Sequence, residues 1–245
     1  MTRTEDLFRE DATLLACDAT VVAQGEGGVL LDRTVCYPLG GGQAGDTGWL
    51  VAAQGPGEQR WRVTDTRKSK EHPEAIVHLI EGEAPPVGTA VRVEVDAARR
   101  QAHRRFHTAT HLLCALLPYP VDGCSITESY ARLDFHTDEP FDKAAIQAGL
   151  DRLVAEAHPV GHRWISEDEL DANPGLVRSM SVQPPRGLGR VRVLEIQGVD
   201  LQPCGGTHVS NTAEIGAVVV TKIEKKSAKT RRVVLGLAES ALGPG

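Results

Sequence analysis

The sequence predicts an α+β protein: an N-terminal small β-barrel, residues 1–95, followed by a mixed domain of helices and strands, residues 96–245. Three observations predict this division. Before Asp96, short apolar runs are broken by glycine, proline and polar turns. After it, a long helical pattern is followed by strands and helices without βαβ alternation. This second part also contains two pairs of potential metal ligands, each pair spaced by four residues.

Residues 1–95 contain several runs that are typical of short strands. Ala90–Val95 alternates apolar and charged residues, as a strand with one buried face does. The other runs, each bounded by turn residues, are Gly28–Leu31, Gly48–Val51, Trp61–Val63 and Ala75–Leu79. Many short strands at this spacing predict a small barrel.

A glycine-rich stretch, Tyr37–Gly48, lies within this barrel region and has five glycines in twelve residues. Such a stretch indicates a tight turn or a close approach to neighbouring atoms. It lacks the Gly-Lys-Ser/Thr of a phosphate-binding loop and the glycine spacing of a dinucleotide site. Two readings therefore stay open, a structural hairpin and a loop at a functional site.

Residues 96–245 begin with a strong helical pattern. Asp96 can cap a helix that runs to about Leu117, where Pro118 stops it. The apolar stripe of this helix comprises Phe106, Ala109, Leu112, Leu113 and Leu116. Further helices are predicted over residues 141–157 and from Ser166, and strands at Arg132–Phe135, Val191–Ile196 and Ala217–Ile223.

Four residues of this second part form a candidate metal site. His107 and His111 are one turn apart on one face of the predicted helix. Cys204 and His208 repeat the spacing of four, in a segment whose glycines predict a loop. One thiolate and three imidazoles suit zinc, and we expect one Zn²⁺ per chain.

Other assignments of the ligands are possible from spacing alone. His103 lies on the same stripe, but its neighbouring arginines predict a solvent-exposed basic face there, which does not suit a metal site. Cys114 also lies on this stripe and is an alternative ligand. A zinc protease is excluded because Thr108 replaces the glutamate such enzymes need after the first histidine. A purely structural zinc remains an alternative, since four protein ligands leave no open position unless one, such as His208, is loosely held.

Composition predicts a globular protein of the cytoplasm. Hydrophobic residues make up 41% of the chain and charged residues 24%. No apolar run is long enough to cross a membrane, and the charged N-terminus does not resemble a signal peptide. The five cysteines form no disulfide-like pattern, so we expect reduced thiols. Nothing indicates an obligate protein partner.

The net charge of -6 argues against a nucleic-acid partner, but the charge is uneven. Lys222–Arg232 contains six basic residues and one acid, and a second basic group lies in the first half of the predicted helix. These clusters are expected to hold phosphates, although a solvated charge run is the alternative. The residues expected to contact RNA are Arg100, Arg104, Lys225, Lys226, Arg231 and Arg232, together with Gln43 of the glycine-rich stretch.

Four motifs of this chain resemble those of the editing half of alanyl-tRNA synthetase. They are His107-Thr-Ala-Thr-His111, Cys204-Gly-Gly-Thr-His208, Tyr37-Pro-Leu-Gly-Gly-Gly-Gln43 with its following Gly45-Asp-Thr-Gly48, and the basic Lys222–Arg232. The chain looks most like the freestanding alanyl-tRNA editing proteins of the AlaX type. In Lys222–Arg232, Ser227 and Thr230 replace the glycine and asparagine usual in this family.

The resemblance implies a fold and an activity. The first domain would be a barrel of the kind found in translation proteins, and the second an editing domain with His107, His111, Cys204 and His208 as zinc ligands. The family hydrolyses tRNA(Ala) mischarged chiefly with serine and, in some members, with glycine. Two alternatives stay open, a zinc-stabilised RNA-binding module without catalysis and a detached piece of a synthetase that charges tRNA. No catalytic residue is assigned.

Selectivity for serine over alanine requires a polar group that contacts the serine hydroxyl. Thr108 and Thr110 flank the histidine stripe, so at most one of them should face the pocket. The segment Asp122–Ile126 reads as a turn after the helix. The candidates for the substrate pocket are Cys124, Ser125 and Thr110.

Overall fold

The computed structural model describes residues 3–53, 59–180, 187 and 189–238. Strands and helices are mixed without βαβ order, so the predicted α+β class is confirmed. By its contacts the chain divides into two compact units. The first comprises Met1–Gly40 and Ala44–Gln101, and the second Gly41–Gln43 and Ala102–Gly245.

The first unit contains a closed barrel of six strands in the order β2-β3-β7-β6-β5-β8, with every neighbouring pair antiparallel. The strands of this unit are β1 (Glu5–Asp6), β2 (Ala16–Gly25), β3 (Gly28–Leu31), β4 (Arg33–Thr34), β5 (Gly48–Ala52), β6 (Arg60–Lys68), β7 (Ile76–Ile80) and β8 (Ala90–Val95). Val29, Leu50, Val63 and Val93 fill its interior. The predicted barrel is confirmed, whereas β2 was not predicted.

The glycine-rich stretch is held by a buried ion pair within this unit. Asp46 Oδ2 accepts hydrogen bonds from the backbone N–H of Tyr37 and from Arg100 Nε, the latter at 3.0 Å. Both side chains are almost fully buried. A buried charge is tolerated only when it is paired in this way. The predicted contact of Arg100 with RNA is therefore wrong, because its guanidinium is occupied inside the protein.

The second unit carries the remaining strands and nearly all of the helical structure. Its helices are α1 (Ala97–Leu116, whose first five residues belong to the first unit), α2 (Lys143–Ala155) and α3 (Glu167–Ala172). Its strands are β9 (Val121–Ile126), β10 (Ala131–His136), β11 (Val160–Ser166), β12 (Arg190–Ile196), β13 (Asp200–Pro203), β14 (Val218–Ser227) and β15 (Thr230–Leu237). They form the sheets β14-β15-β10-β9 and β11-β12-β13.

The helices begin where the sequence offers caps. Asp96 Oδ1 accepts from the backbone N–H of Arg99 at the start of α1. The side chain of Asp142 caps α2, so this helix begins two residues later than the predicted residue 141. Ser166 caps α3 by accepting from the N–H of Glu169. Each cap satisfies backbone donors that have no partner within the helix.

Helix α1 is buried on nearly every side from His103 to Cys114. Its predicted apolar stripe packs in the main core of the second unit, together with strands β10 and β15. Burying each large apolar side chain contributes about 1.5–3 kcal/mol. The prediction of a solvent-exposed basic face around His103 is wrong, because that side chain is 0% exposed.

The sheet β11-β12-β13 has two distinct faces, since successive side chains of a strand point to opposite sides. Ile165, Val191, Val193 and Leu201 pack together on one face. The other face therefore carries the even-numbered side chains of β13 and the residue that follows it, Cys204. This alternation positions the candidate metal centre.

Candidate metal centre

The structure brings His107, His111, Cys204 and His208 together. One ligand atom from each lies within 4.8 Å of those of the other three. The three histidines are buried, with 5–7% exposure, whereas Cys204 is half-buried. Helix α1 supplies the first pair, and the loop after β13 supplies the second. Cys204 is therefore the member of the set with the largest exposed fraction.

The orientation of the His107 ring is set by Gln43. Gln43 Oε1 accepts from the backbone N–H of Thr207, and its amide nitrogen donates to the Thr207 hydroxyl. Because this oxygen is an acceptor, His107 Nδ1, 2.8 Å away, must carry the proton. His107 Nε2 then presents its lone pair to the other three ligands. Gln43 is fully buried, so the predicted direct contact of its side chain with RNA is wrong.

His111 is oriented in the same way by a carboxylate. Its Nδ1 donates to Asp200 Oδ2 at 2.8 Å, and the amide nitrogen of Gln202 donates to both Asp200 oxygens. Burial opposes the charge of Asp200, but the hydrogen bond from His111 holds the pKa of this carboxyl below its usual value. A carboxylate on the distal nitrogen is the arrangement that orients many zinc-binding histidines.

His208 has the most loosely held ring of the three. The Thr108 hydroxyl uses its proton to donate to Arg104 O and also accepts from the N–H of Val209. It must therefore accept the hydrogen bond of His208 Nδ1–H at 3.2 Å. This contact is longer than the 2.8 Å of the other two rings. Burial and the neighbouring His107 lower the pKa of His208 well below its usual value, which keeps it neutral and able to bind a metal.

Cys204 supplies the negative charge. Burial raises the pKa of its thiol, but the surrounding imidazoles together outweigh this and hold the pKa well below its usual value. Its Sγ lies 3.5 Å from His107 Nε2 and 3.2 Å from His208 Nε2. Tetrahedral zinc, with bonds of about 2.0–2.1 Å to nitrogen and about 2.3 Å to sulfur, separates such ligands by about 3.6 Å. The donor set thus fits zinc.

The electrostatics of the centre also favour a divalent cation. Burial alone lowers the pKa of His111, yet Asp200 and the Cys204 thiolate raise it to about 10. The site therefore attracts positive charge, which a proton on His111 or a metal ion can supply. A divalent ion would balance the two negative groups, thiolate and carboxylate, and buried charges require such balance.

The loop that carries Cys204 approaches helix α1 so closely that Gly206 is required. A Cβ at this position would lie 2.1 Å from His107 Cε1 and 3.0 Å from Gln43 Oε1. Real Cβ atoms do not come that close, so any side chain would displace the ring or the loop. Of the two glycines between Cys204 and His208, Gly206 therefore has a packing role.

The arginine and threonine predictions on α1 need correction. Arg104 is 8% exposed and its Nε donates to His208 O at 2.7 Å, so it supports the ligand loop and is not available to RNA. The hydroxyl that reaches the histidines is that of Thr108. Thr110, predicted to line a pocket, donates instead to the backbone oxygen of His107.

Cys124 and Ser125 lie on strand β9, so the predicted turn at this segment is wrong. Neighbouring residues of a strand point to opposite faces, and only one of the two can face the metal centre. Cys124 packs against the same core cluster as Cys204, and a Cβ at Gly42 would lie 2.8 Å from its Sγ. Burial raises the pKa of Cys124 to about 12, so it keeps its proton.

The basic stretch is the hairpin β14-β15 and not an open loop. Lys225 and Lys226 are exposed on β14. Arg231 is 8% exposed and donates to backbone oxygens, whereas Arg232 forms two bonds with Asp134, at 2.6 and 2.8 Å. The lysines are thus available to a partner. The predicted RNA contact of Arg231 is wrong because this side chain is buried, whereas that of the half-buried Arg232 stays a prediction.

The two residues that depart from the family pattern close this hairpin. Ser227 Oγ lies 3.1 Å from Thr230 Oγ1, and the backbone N–H of Lys229 donates to Ser227 Oγ. The hydroxyls therefore supply the turn bonds at this end of the hairpin.

Three residues that surround the four ligands were not predicted from the sequence, namely Arg192, Asp200 and Gln202. Gln43 and Thr108 were singled out, but as an RNA contact and a pocket candidate. One signal was available. Asp200, Gln202 and Cys204 are spaced by two, which in a strand places all three on one face.

Among the described residues, no helix combines the length and apolar character needed to cross a membrane.

Two family models match the chain. The model described as "Threonyl and Alanyl tRNA synthetase second additional domain" matches residues 191–234, which include Cys204 and His208. The model described as "tRNA synthetases class II (A)" matches residues 11–99.

Individual relatives extend this similarity to nearly the whole chain. The alanyl-tRNA editing protein AlaX-M of Methanosarcina mazei is 32% identical over 98% of this chain and 99% of its own length. That of Methanosarcina barkeri is 32% identical over 96% of this chain and 100% of its own length. An alanine–tRNA ligase of Thermofilum pendens is 35% identical over 96% of this chain, which spans only 26% of that ligase.

Proposed function

Because the chain belongs to the family of AlaX-type alanyl-tRNA editing proteins, we propose that it is a hydrolase that deacylates mischarged tRNA(Ala) in the cytoplasm. Its substrate is chiefly tRNA(Ala) carrying serine, and glycine second. The observation that carries the proposal is the convergence of His107, His111, Cys204 and His208 within a chain matched end to end by editing proteins.

In this proposal the four residues hold one Zn²⁺. Zinc, when bound, supplies a Lewis acid that can polarise or orient the ester of the aminoacyl end. We favour orientation, because four protein ligands complete a tetrahedral shell. His208 is the ligand best suited to yield its place, since Thr108 holds its ring by the longest of the three contacts.

The surrounding residues keep the ligands in the right protonation state. Gln43 and Asp200 hold the Nδ1 protons of His107 and His111, and so direct both Nε2 atoms inwards. Gly206 N–H donates to Cys204 Sγ at 3.4 Å and so stabilises the thiolate. Arg192 Nη1 donates to Cys204 O at 2.8 Å and fixes the loop.

Selectivity requires a contact with the serine hydroxyl, because a small pocket alone cannot exclude alanine. Cys124 is our candidate for this contact, since it packs against the same core cluster as Cys204 and keeps its S–H proton. Ser125 points to the opposite face of β9.

The tRNA is the partner, and Lys225 and Lys226 are its phosphate contacts in this proposal. Both side chains are exposed on the basic hairpin, while the protein as a whole is acidic. We also propose residues 1–95 as a domain resembling translation-protein barrels and residues 96–245 as the editing domain.

The test is deacylation by purified protein of tRNA(Ala) charged with serine, glycine or alanine. We expect rapid release of serine, slower release of glycine, and alanyl-tRNA(Ala) left intact. A protein that binds tRNA but releases none of the three would instead be the zinc-stabilised RNA-binding module that a complete four-ligand shell also suits.

A further inference from the structure

Trp164 and Arg190 form an aromatic–cation pair on the sheet that carries the metal loop. The guanidinium carbon of Arg190 lies 4.3 Å from the centroid of the Trp164 ring. Trp164 on β11 is half-buried, and Arg190 at the start of β12 is exposed.

The pair faces the same side of the sheet as Cys204. Trp164 is the register partner of Arg192 on β12, and the N–H of Cys204 donates to Arg192 O, so the pairing extends across all three strands. The opposite face is closed by the apolar cluster around Ile165 and Val193. Trp164, Arg192 and Cys204 therefore lie side by side on one face.

The distance between Trp164 and the metal loop suits a single nucleotide. Neighbouring strands are about 4.7–4.9 Å apart, so Trp164 and Cys204, which flank β12, are roughly 10 Å apart. Cys204 is also the half-buried member of the ligand set, and the pair lies on the same face of the sheet as this residue. Arg190 adds a positive charge for a phosphate there.

We propose that Trp164 and Arg190 bind the terminal nucleotide of the aminoacyl-tRNA, with its base stacked against the indole and its phosphate at the guanidinium. The inference rests on the proposed function, because it places the ester of that nucleotide at the metal centre. Unpaired RNA bases stack on aromatic side chains and on arginine, and the 3′ end of tRNA is unpaired.

The first test is steady-state deacylation of seryl-tRNA(Ala). Trp164→Ala should lower kcat/KM by roughly 5- to 150-fold, the range expected for removing the stacking of one base. Trp164→Phe should recover part of this activity because it keeps a ring. Trp49→Ala is the matched control, since Trp49 also contacts arginines, at 5.0 and 5.1 Å, but lies on the barrel strand β5. An unchanged kcat/KM in Trp164→Ala overturns the inference.

A second substrate separates stacking from general damage to the site. A seryl ester of ribose without a base should react equally with wild type and Trp164→Ala. An equal decrease on both substrates overturns the inference.

If the wild-type protein hydrolyses neither substrate, the proposed function fails. The affinity for uncharged tRNA(Ala) then tests the nucleotide site on its own. Trp164→Ala must still bind uncharged tRNA(Ala) more weakly than Trp49→Ala does. Equal binding overturns the inference.

Discussion

At the scale of single residues, Gln43 decides which nitrogen of His107 faces the other ligands. Gln43→Ala removes the acceptor of the Nδ1 proton, so we expect zinc affinity to fall by about 10- to 100-fold. Competition with a chromogenic chelator measures this affinity. Gln59→Ala, at an exposed position, is the control. Equal affinity in both variants would show that Gln43 does not support the ligand.

Cys124 and Ser125 test how the serine hydroxyl is recognised. We expect Cys124→Ala to lower the rate ratio of seryl- to alanyl-tRNA(Ala) deacylation by roughly fivefold to tenfold, the value of one hydrogen bond. Ser125→Ala should keep the ratio, because adjacent residues of β9 face opposite sides. Both rates are measured with the zinc content checked. A larger effect from Ser125→Ala would reverse the assignment.

At the scale of elements, the position of the loop that follows β13 and carries Cys204 depends on its close contact with α1. Gly206→Ala places a methyl group 2.1 Å from the His107 ring, so we expect bound zinc to fall well below the value of about one per chain. Gly161→Ala on β11 is the control, because its Cβ would meet nothing within 4 Å. Metal analysis of the purified variants decides. Full zinc retention by Gly206→Ala would contradict this packing.

The hairpin β14-β15 carries two kinds of basic residue, exposed lysines and arginines that are bonded within the protein. Lys225→Ala with Lys226→Ala should weaken tRNA binding and flatten the slope of log affinity against log salt, by about 0.7–0.9 for each phosphate that the protein no longer neutralises. Removing the same charge at Lys68 and Lys70, which are exposed on the barrel unit, is the control. An identical slope in both double variants would mean that the hairpin lysines only face solvent.

At the scale of the whole molecule, the sequence predicted features that depend on local pattern. The barrel strands with apolar alternation and the capped helices follow from short-range spacing. The two ligand pairs could be matched across the sequence because their donor types together suit zinc. Strand β2 was missed because Ala16–Gly25 mixes small, polar and apolar residues. Strand β9 was missed because the Asp122-Gly123 pair is also a turn signal.

Burial of charged residues could not be predicted, because it depends on partners that are distant in sequence. Arg100 reads as basic surface, but its carboxylate partner Asp46 is 54 positions away. Gln43 likewise reads as a loop residue, whereas it bonds Thr207, 164 positions away. Such pairings belong to the tertiary fold, and a charge pattern alone cannot reveal them.

The central claim is that the His–Cys centre serves the deacylation of mischarged tRNA(Ala), and one measurement tests it most directly. The initial rate of serine release from seryl-tRNA(Ala) is compared between wild type, Cys204→Ala and His103→Ala, with zinc determined in each. His103→Ala controls for damage to α1, since His103 is a buried histidine outside the ligand set. We expect Cys204→Ala to lose both zinc and serine release and His103→Ala to keep both. Serine release at the wild-type rate by zinc-free Cys204→Ala would contradict the account.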